Sequence, residues 1–379
     1  MSLNIKPLTR AQVDYYLGIT DLTSDDSDHA VGLLYRKIRD QIEDTHPDSE
    51  IMIYRDNQIV SIKDNYENLL IPTDNISRSS TYTHYLDNET LLRTHASSAI
   101  PGAMRELSKR NDWNDVVILV PGLVYRRDVA DKKHVGQIHM LDVWRVVRTA
   151  EKPEITHKTL IDAVKDIART AAPGWELRIE NSPHPYTNGG IEVNAANKVD
   201  GRDIEILECG LIKEKVLEIN GLDPEVYSGW ALGMGLDRLV MTLKNLPDIR
   251  YLRSDNPKIS NQMKNLNTYA EVSNQPAIQR DMSYSVPGSY VEEDVSQDIM
   301  SAIGDRIAAL EEVDILSETP YNDLPEVARR NLGIQINQKN VLVRITLRHL
   351  EKTLTKKEAN IIYDKIYEII NHGSCGYSS

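Results

Sequence analysis

The stretch Gly122-Leu-Val-Tyr-Arg-Arg-Asp128 is followed by a polar loop containing Lys132, Lys133 and His134, and then by Gln137-Ile-His-Met-Leu-Asp-Val-Trp144. Both flanks are rich in branched and aromatic residues, so the spacing predicts two strands closed into a hairpin. A period of two puts Arg126 and Asp128 on one face, and likewise groups Ile138, Met140 and Asp142. A guanidinium at the base of a basic loop suits bidentate capture of a phosphate. Taken alone, the same pattern also fits an edge hairpin with ordinary surface charge.

A second run, Gly233-Met-Gly235-Leu-Asp-Arg238, carries a strand into a helix and sets Arg238 on the helix's first turn. Glycines there let the backbone approach a ligand closely, although tight packing alone would use the same residues. Together the two runs give separated arginines, Arg126 and Arg238, able to bracket a bent triphosphate across a sheet.

The rest of the chain bounds what this pair can belong to. At 379 residues two domains are expected. There are 18 tyrosines and 4 tryptophans but no phenylalanine, where ordinary usage predicts on the order of ten. The net charge of −13 argues against coating nucleic acid through bulk electrostatics, but leaves room for a local basic surface. Arg329, Arg330, Lys339, Arg344, Arg348, Lys352, Lys356 and Lys357 could supply one, or could simply line solvated faces. Cys209 and Cys375 form no CxxC pair, so neither a disulfide framework nor a structural zinc is indicated. No apolar run reaches the length of a membrane span. Asp21, Asp25, Asp26 and Asp28 make the first residues unlike a targeting segment, and a cytoplasmic location is expected.

Helical spacing marks 28–42, 100–109 and 159–170, whereas strand-like pieces include IMIYR, NLLIP, DVVILVPGLVYR, WELRI, IEVNA and DIEILECGLI. Strands with singly inserted helices indicate an α+β fold on a largely antiparallel sheet. The domains expected are a first one at 1–255, a linker at 256–267 rich in Asn, Ser and Lys, and a second domain at 268–379. That last stretch reads as βαββα, ferredoxin-like, closed by a helix whose capping box starts at Thr355.

The two arginine runs resemble the second and third signature motifs of class II aminoacyl-tRNA synthetases, and more narrowly phenylalanyl-tRNA synthetase of the single-chain, organellar type. The resemblance extends from about residue 28 to 372. It takes in His29 on the first signature helix, Asn68-Leu-Leu-Ile-Pro72, Leu92-Arg-Thr-His95-Ala-Ser97, Pro183-His-Pro-Tyr186, Glu205-Ile-Leu-Glu-Cys-Gly210 and Asp248-Ile-Arg250. Pro276 to Asp281 and Arg348 to Thr355 are similar to that type's fused, ferredoxin-fold anticodon-binding domain.

The resemblance implies ATP and Mg2+ as cofactors, with phenylalanine and its tRNA as substrates. Arg126 would hold the α-phosphate and Arg238 the γ-phosphate, with Glu205 beside the nucleotide and its metal; these three are the catalytic candidates. Asp128, His134 and Gly235 would complete the ATP site. The amino acid would meet His95, Ser97, Met140, Asp142, His184, Tyr186, Ala231 and Gly233, and the anticodon stem Arg280, Arg344, Arg348 and Lys356. Class II domains commonly pair through the first signature helix while the single-chain type works as a monomer, so both states stay open.

The chain departs from the family at the amino-acid site. Met140 stands where the family has Gln and Asp142 where it has Glu, both of which help hold the substrate's ammonium. His184 and Tyr186 replace two phenylalanines that pack on the substrate ring, whereas Ala231 keeps the small pocket floor. Asn188-Gly189-Gly190 and Glu208 also break the pattern. Other readings follow from these changes: a paralogue that activates another aromatic amino acid, hydroxylated rings included, or acylates a different acceptor, and a catalytically silent binder of RNA or amino acids.

Overall fold

The run Asp115–Tyr125 is buried at every position, the mark of a central strand covered on both faces. In a computed structural model, residues 7–55, 58–127, 131–150, 155–272, 275–349 and 352–374 are described. They divide into two units, one from 1–126, 137–246 and 262–269, the other from 127–136, 247–261 and 270–379.

The first unit holds strands β1 (Glu50–Ile53), β2 (Ile59–Ser61), β3 (Thr90–Leu92), β4 (Asp115–Tyr125), β5 (Gln137–Arg148), β6 (Glu176–Asn181), β7 (Thr187–Ala196), β8 (Asp203–Ile212) and β9 (Tyr227–Gly235). Seven of them form one sheet in the order β1-β4-β5-β9-β8-β7-β6, and β2 and β3 form a separate hairpin-like pair. Every pair in the large sheet is antiparallel except β1 with β4. Helix Ala30–Thr45, capped by the His29 ring accepting from the Val31 amide, buries Val31, Leu34, Tyr35, Ile38 and Ile42 completely. Helix His157–Ala171 packs beside it with Leu160, Val164 and Ile167 inward.

Gly122 shows why the hairpin's first strand reads as it does. Its φ is +133°, and a Cβ there would lie 2.5 Å from the Arg93 guanidinium. Only glycine lets Arg93 lie across β4 and donate to the Leu123 carbonyl at 2.7 Å.

The second unit holds β10 (Ile278–Pro287), β11 (Leu310–Pro320) and β12 (Gln338–Leu347) in the order β10-β12-β11, all antiparallel. Helices Glu292–Ile303 and Lys356–Ile370 pack together and close a core of Tyr284, Val295, Ile299, Val343, Ile345, Ile362 and Ile366. The Thr355 capping box forms with Glu358. The long connection before β12 contains a further helix, Glu326–Leu332.

Two expectations are corrected. NLLIP is not a strand: Glu67–Leu69 is a 3-10 turn ended by Leu70 at φ +56°. Asn68 donates to Asp64 and Leu69 is fully buried, so the apolar run reports a packed turn. Residues 256–267 are folded, not a free tether: Pro257–Ser260 is a helix, Asn261–Lys264 a 3-10 turn, and Ile259 and Met263 are buried. The units also interleave along the chain at 127–136 and 247–269, so the division is not a single cut near 255.

Candidate active site

The site is built on β5, β9 and β8. Their register places Met140 opposite Gly235, Asp142 opposite Gly233 and Trp144 opposite Ala231, with Gly233 also opposite Glu208. Trp144 and Ala231 are buried in the sheet core, giving an aromatic and a small residue side by side. A Cβ at Gly233 would lie 3.2 Å from Asp142 Oδ1, so the glycine leaves room for that carboxylate.

Asp142 is almost wholly buried. Ser97 Oγ donates to its Oδ2, while Oδ1 makes no hydrogen bond. Burial pushes the carboxyl up to about 6, with Ser97 and the neighbouring Trp144 indole opposing the rise. His95 precedes the 3-10 turn that carries Ser97. Its Nε2 bonds the Asn65 carbonyl at 2.9 Å, and its Nδ1 is buried without a partner. Burial, reinforced by the Arg126 guanidinium, holds this imidazole down to about 3. It is therefore neutral, Nε2 carries the proton, and Nδ1 presents a lone pair.

Arg126 leaves the end of β4 with its Nε donating to the Thr94 carbonyl at 2.8 Å, its NH2 3.5 Å from Met140 Sδ and its guanidinium 5.8 Å from the Tyr82 ring centre. Met140 thus touches Arg126, and the sulfur offers it only a weak acceptor.

Tyr186 stacks on Trp144 with centroids 5.5 Å apart and planes 25° apart, and His184 tilts against Tyr186 at 6.2 Å. Burial raises the Tyr186 phenol above its usual range, and the Asp142 charge adds to the rise. His184 Nε2 lies 3.0 Å from Glu208 Oε2, and this imidazole holds Glu208 below the usual carboxylate range. Gly190 belongs to the same arrangement, since a Cβ there would stand 2.8 Å from His184 Nδ1. The departures at 184, 190 and 208 are therefore one packed group.

On the phosphate side, β9 runs directly into helix Leu236–Lys244, with Gly235 at its N-cap. A Cβ at Gly235 would meet nothing within 4 Å, so space above this backbone is open. Arg238 is exposed on the first turn, and no ion pair to it is found among the described residues. Glu205 on β8 is exposed, and partial desolvation followed by Glu208 and Glu192 holds it above the usual carboxylate range, with Arg238 partly offsetting them. Like-charged carboxylates under this strain suit a hard divalent cation. Among the described residues no group of three or more potential ligands gathers, so magnesium here would draw most of its shell from phosphates and water.

Asp128 and Cys375 lie outside the described residues. His134 belongs to the second unit, where Asp131 accepts from its amide at 2.7 Å and meets its Nδ1 at 2.6 Å. Sequence reasoning missed a supporting pair: fully buried His139 contacts Asp237 through Nδ1 at 2.8 Å and through its amide at 3.0 Å, and accepts from the Leu22 amide at 3.0 Å. This ties β5 to the turn that carries Arg238. A histidine at an inward position between Ile138 and Met140 was the available signal.

In the second unit, Arg280 bonds Asn360 and lies 4.5 Å from the Tyr363 ring centre, while Lys356 is exposed. Arg344 is held bidentately by Asp281 at 2.8 and 2.9 Å, and Arg348 pairs with buried Glu311, which also binds Lys132. Two of the four expected anticodon-contacting cations are thus already matched by carboxylates.

An antiparallel sheet with a phosphate-ready arginine on its hairpin and another on the following helix is the architecture of a class II synthetase core. Residues 21–263 match the family model described as tRNA synthetases class II core domain (F), and the chain belongs to that family. It is 26% identical over 348 residues to the chloroplastic/mitochondrial phenylalanine–tRNA ligase of Arabidopsis thaliana, covering 89% of this chain and 75% of that one. It is 33% identical over 210 residues to the phenylalanine–tRNA ligase alpha subunit of Staphylococcus carnosus, covering 53% of this chain and 58% of that one. Among solved structures, pyrrolysyl-tRNA synthetase from Desulfitobacterium hafniense matches with a TM-score of 0.46 at 20% identity, over 64% of this chain and 80% of that one. No described helix is long and apolar enough to cross a membrane.

Proposed function

We propose that the chain is a phenylalanine–tRNA ligase, which uses ATP and Mg2+ to form phenylalanyl-adenylate and then esterifies the terminal ribose of tRNA. The observation that carries this reading is the gathering of Arg126, His95, Ser97 and Asp142 around the Trp144 and Tyr186 rings inside a class II core.

In this reading the substrate ammonium binds the unpaired Asp142 Oδ1 and the His95 Nδ1 lone pair, both buried acceptors awaiting a donor. That pair does the work of the amide that Met140 lacks. Arg126 brings the amino-acid carboxylate and the α-phosphate together for in-line displacement of pyrophosphate, and Arg238 holds the far end of the triphosphate. Magnesium at Glu205 would neutralise charge on the departing phosphates. The helix Ala30–Thr45 spends its apolar stripe inside its own unit, which favours a monomer. Arg280 and Lys356 are the better candidates for meeting tRNA, since Arg344 and Arg348 are already paired.

ATP–pyrophosphate exchange with phenylalanine, followed by charging of tRNA, tests the proposal, and absence of both would end it. The His184–Glu208 pair favours a second reading, a ligase for an aromatic amino acid with a polar ring. Exchange driven by tyrosine or a hydroxylated analogue in preference to phenylalanine would select it.

A further inference from the structure

Among the largest fully buried side chains of the described residues, six are tyrosines and two are tryptophans, Trp144 and Trp230. The tyrosines are Tyr35, Tyr66, Tyr85, Tyr125, Tyr284 and Tyr363. A buried hydroxyl is unfavourable unless it is given a partner. Tyr66 reaches the Ser77 carbonyl at 2.6 Å, Tyr85 that of Arg78 at 2.7 Å, Tyr125 that of Tyr16 at 3.2 Å, and Tyr363 that of Ile278 at 2.9 Å. Tyr284 finds the Met282 thioether at 3.2 Å, a weak acceptor. The Tyr35 hydroxyl is buried and donates to no acceptor, with the Arg39 guanidinium beside it, and burial pushes its pKa up. At that position phenylalanine fits the same space without the buried oxygen. The chain nonetheless has none in 379 residues.

We infer that the chain is built to be made without its own product: synthesis of these 379 residues draws on no phenylalanyl-tRNA, so they can still be translated when that pool is empty. The inference rests on the function proposed above. The buried Tyr35 hydroxyl, which donates to nothing, is then a tolerated structural cost, set against continued supply of an enzyme that refills the pool. The carbonyls bonded by Tyr66, Tyr85 and Tyr363 show both cores giving buried tyrosine hydroxyls a partner.

The test compares the wild-type chain with a variant carrying Tyr15→Phe, Tyr35→Phe and Tyr321→Phe, positions outside the proposed site. Each is the sole phenylalanine-charging enzyme in cells starved of phenylalanine and then resupplied. The expected result is that wild-type enzyme continues to accumulate during starvation while the variant stops, and that charging recovers sooner with wild type. Equal accumulation and equal recovery overturn the inference. Purified Tyr35→Phe is expected to melt no lower than wild type, and a clear fall in its melting midpoint would show that this tyrosine serves the fold and likewise count against the inference. Phenylalanine-driven pyrophosphate exchange by both purified proteins separates the two levels. If it is absent the ligase reading fails, and if it is present and equal then the starvation result bears on the inference alone.

Discussion

Replacing Asp142 with Asn should stabilise the chain and cripple it at once. Burial moves this carboxyl from its ordinary 3.8 to about 6. At about 1.4 kcal/mol for each tenfold change in proton affinity, that difference is worth about 3 kcal/mol. The sign follows from the direction of the shift. The folded state holds the Asp142 proton more tightly than the unfolded state, so stability is lost as pH rises from 3.8 toward 6, and the whole cost is present at neutral pH. The Asp142→Asn substitution removes that cost but places an amide where Oδ1 had no partner, giving back about 1 kcal/mol. The net expectation is a gain of about 2 kcal/mol near pH 7.5, shrinking to nothing or below near pH 4. Trp113, Trp144, Trp175 and Trp230 all lie in the first unit, so tryptophan fluorescence during urea unfolding reports on that unit alone. The same substitution should raise the amino-acid KM roughly ten- to hundredfold, the value of a charge-assisted hydrogen bond. An Asn variant less stable than wild type at neutral pH, or a gap that does not change with pH, would refute the account of Asp142 as a strained, buried anion.

Arg126→Ala should lower pyrophosphate exchange by roughly a thousandfold, and Arg126→Lys should not restore it, because an ammonium cannot hold carboxylate and phosphate together. Removing the His184–Glu208 pair with His184→Phe should raise discrimination for phenylalanine over tyrosine by roughly tenfold in exchange assays, and an unchanged ratio would take His184 off the ring wall. Gly122→Ala should destabilise the first unit by roughly 2–4 kcal/mol in the same fluorescence assay, since φ of +133° and the Arg93 contact both oppose a side chain. In the second unit, Lys132 and Arg348 outweigh burial and hold Glu311 below its ordinary value, so its contribution is full above that value and falls away in acid. Glu311→Gln should cost roughly 1–2 kcal/mol at neutral pH, since the cations it leaves are partly exposed, measured by urea unfolding followed by near-ultraviolet circular dichroism.

Long periodic elements were legible in the sequence because their pattern and their burial agree. Residues 28–42 and 159–170 fold as the helices Ala30–Thr45 and His157–Ala171, and DIEILECGLI is the strand Asp203–Ile212. The failures are short runs whose pattern and conformation part company. NLLIP carries strand-like residues, but Asn68 is bound by Asp64 and Leu69 is drawn into the sheet core. Helix Glu326–Leu332 buries no residue fully, so it leaves no apolar stripe to detect. At the site, residue types were readable and pairings were not. His184 and Glu208 are 24 positions apart in sequence and 3.0 Å apart in space, and His139 meets Asp237 from 98 positions away.

The register of β5 against β9 bears on how readily this catalyst could be re-engineered. Met140, Asp142 and Trp144 project at every second residue from a strand that is hydrogen-bonded on both sides, and Gly235 and Arg238 follow on the neighbouring strand and its helix. Side chains at 140, 184, 186 and 208 can therefore be exchanged in a combinatorial library while the backbone that carries the two arginines stays pinned by cross-strand bonds. In the proposed reading, selection at 184, 186 and 208 would sample the ring pocket, whereas exchange at 140 would also reach Arg126.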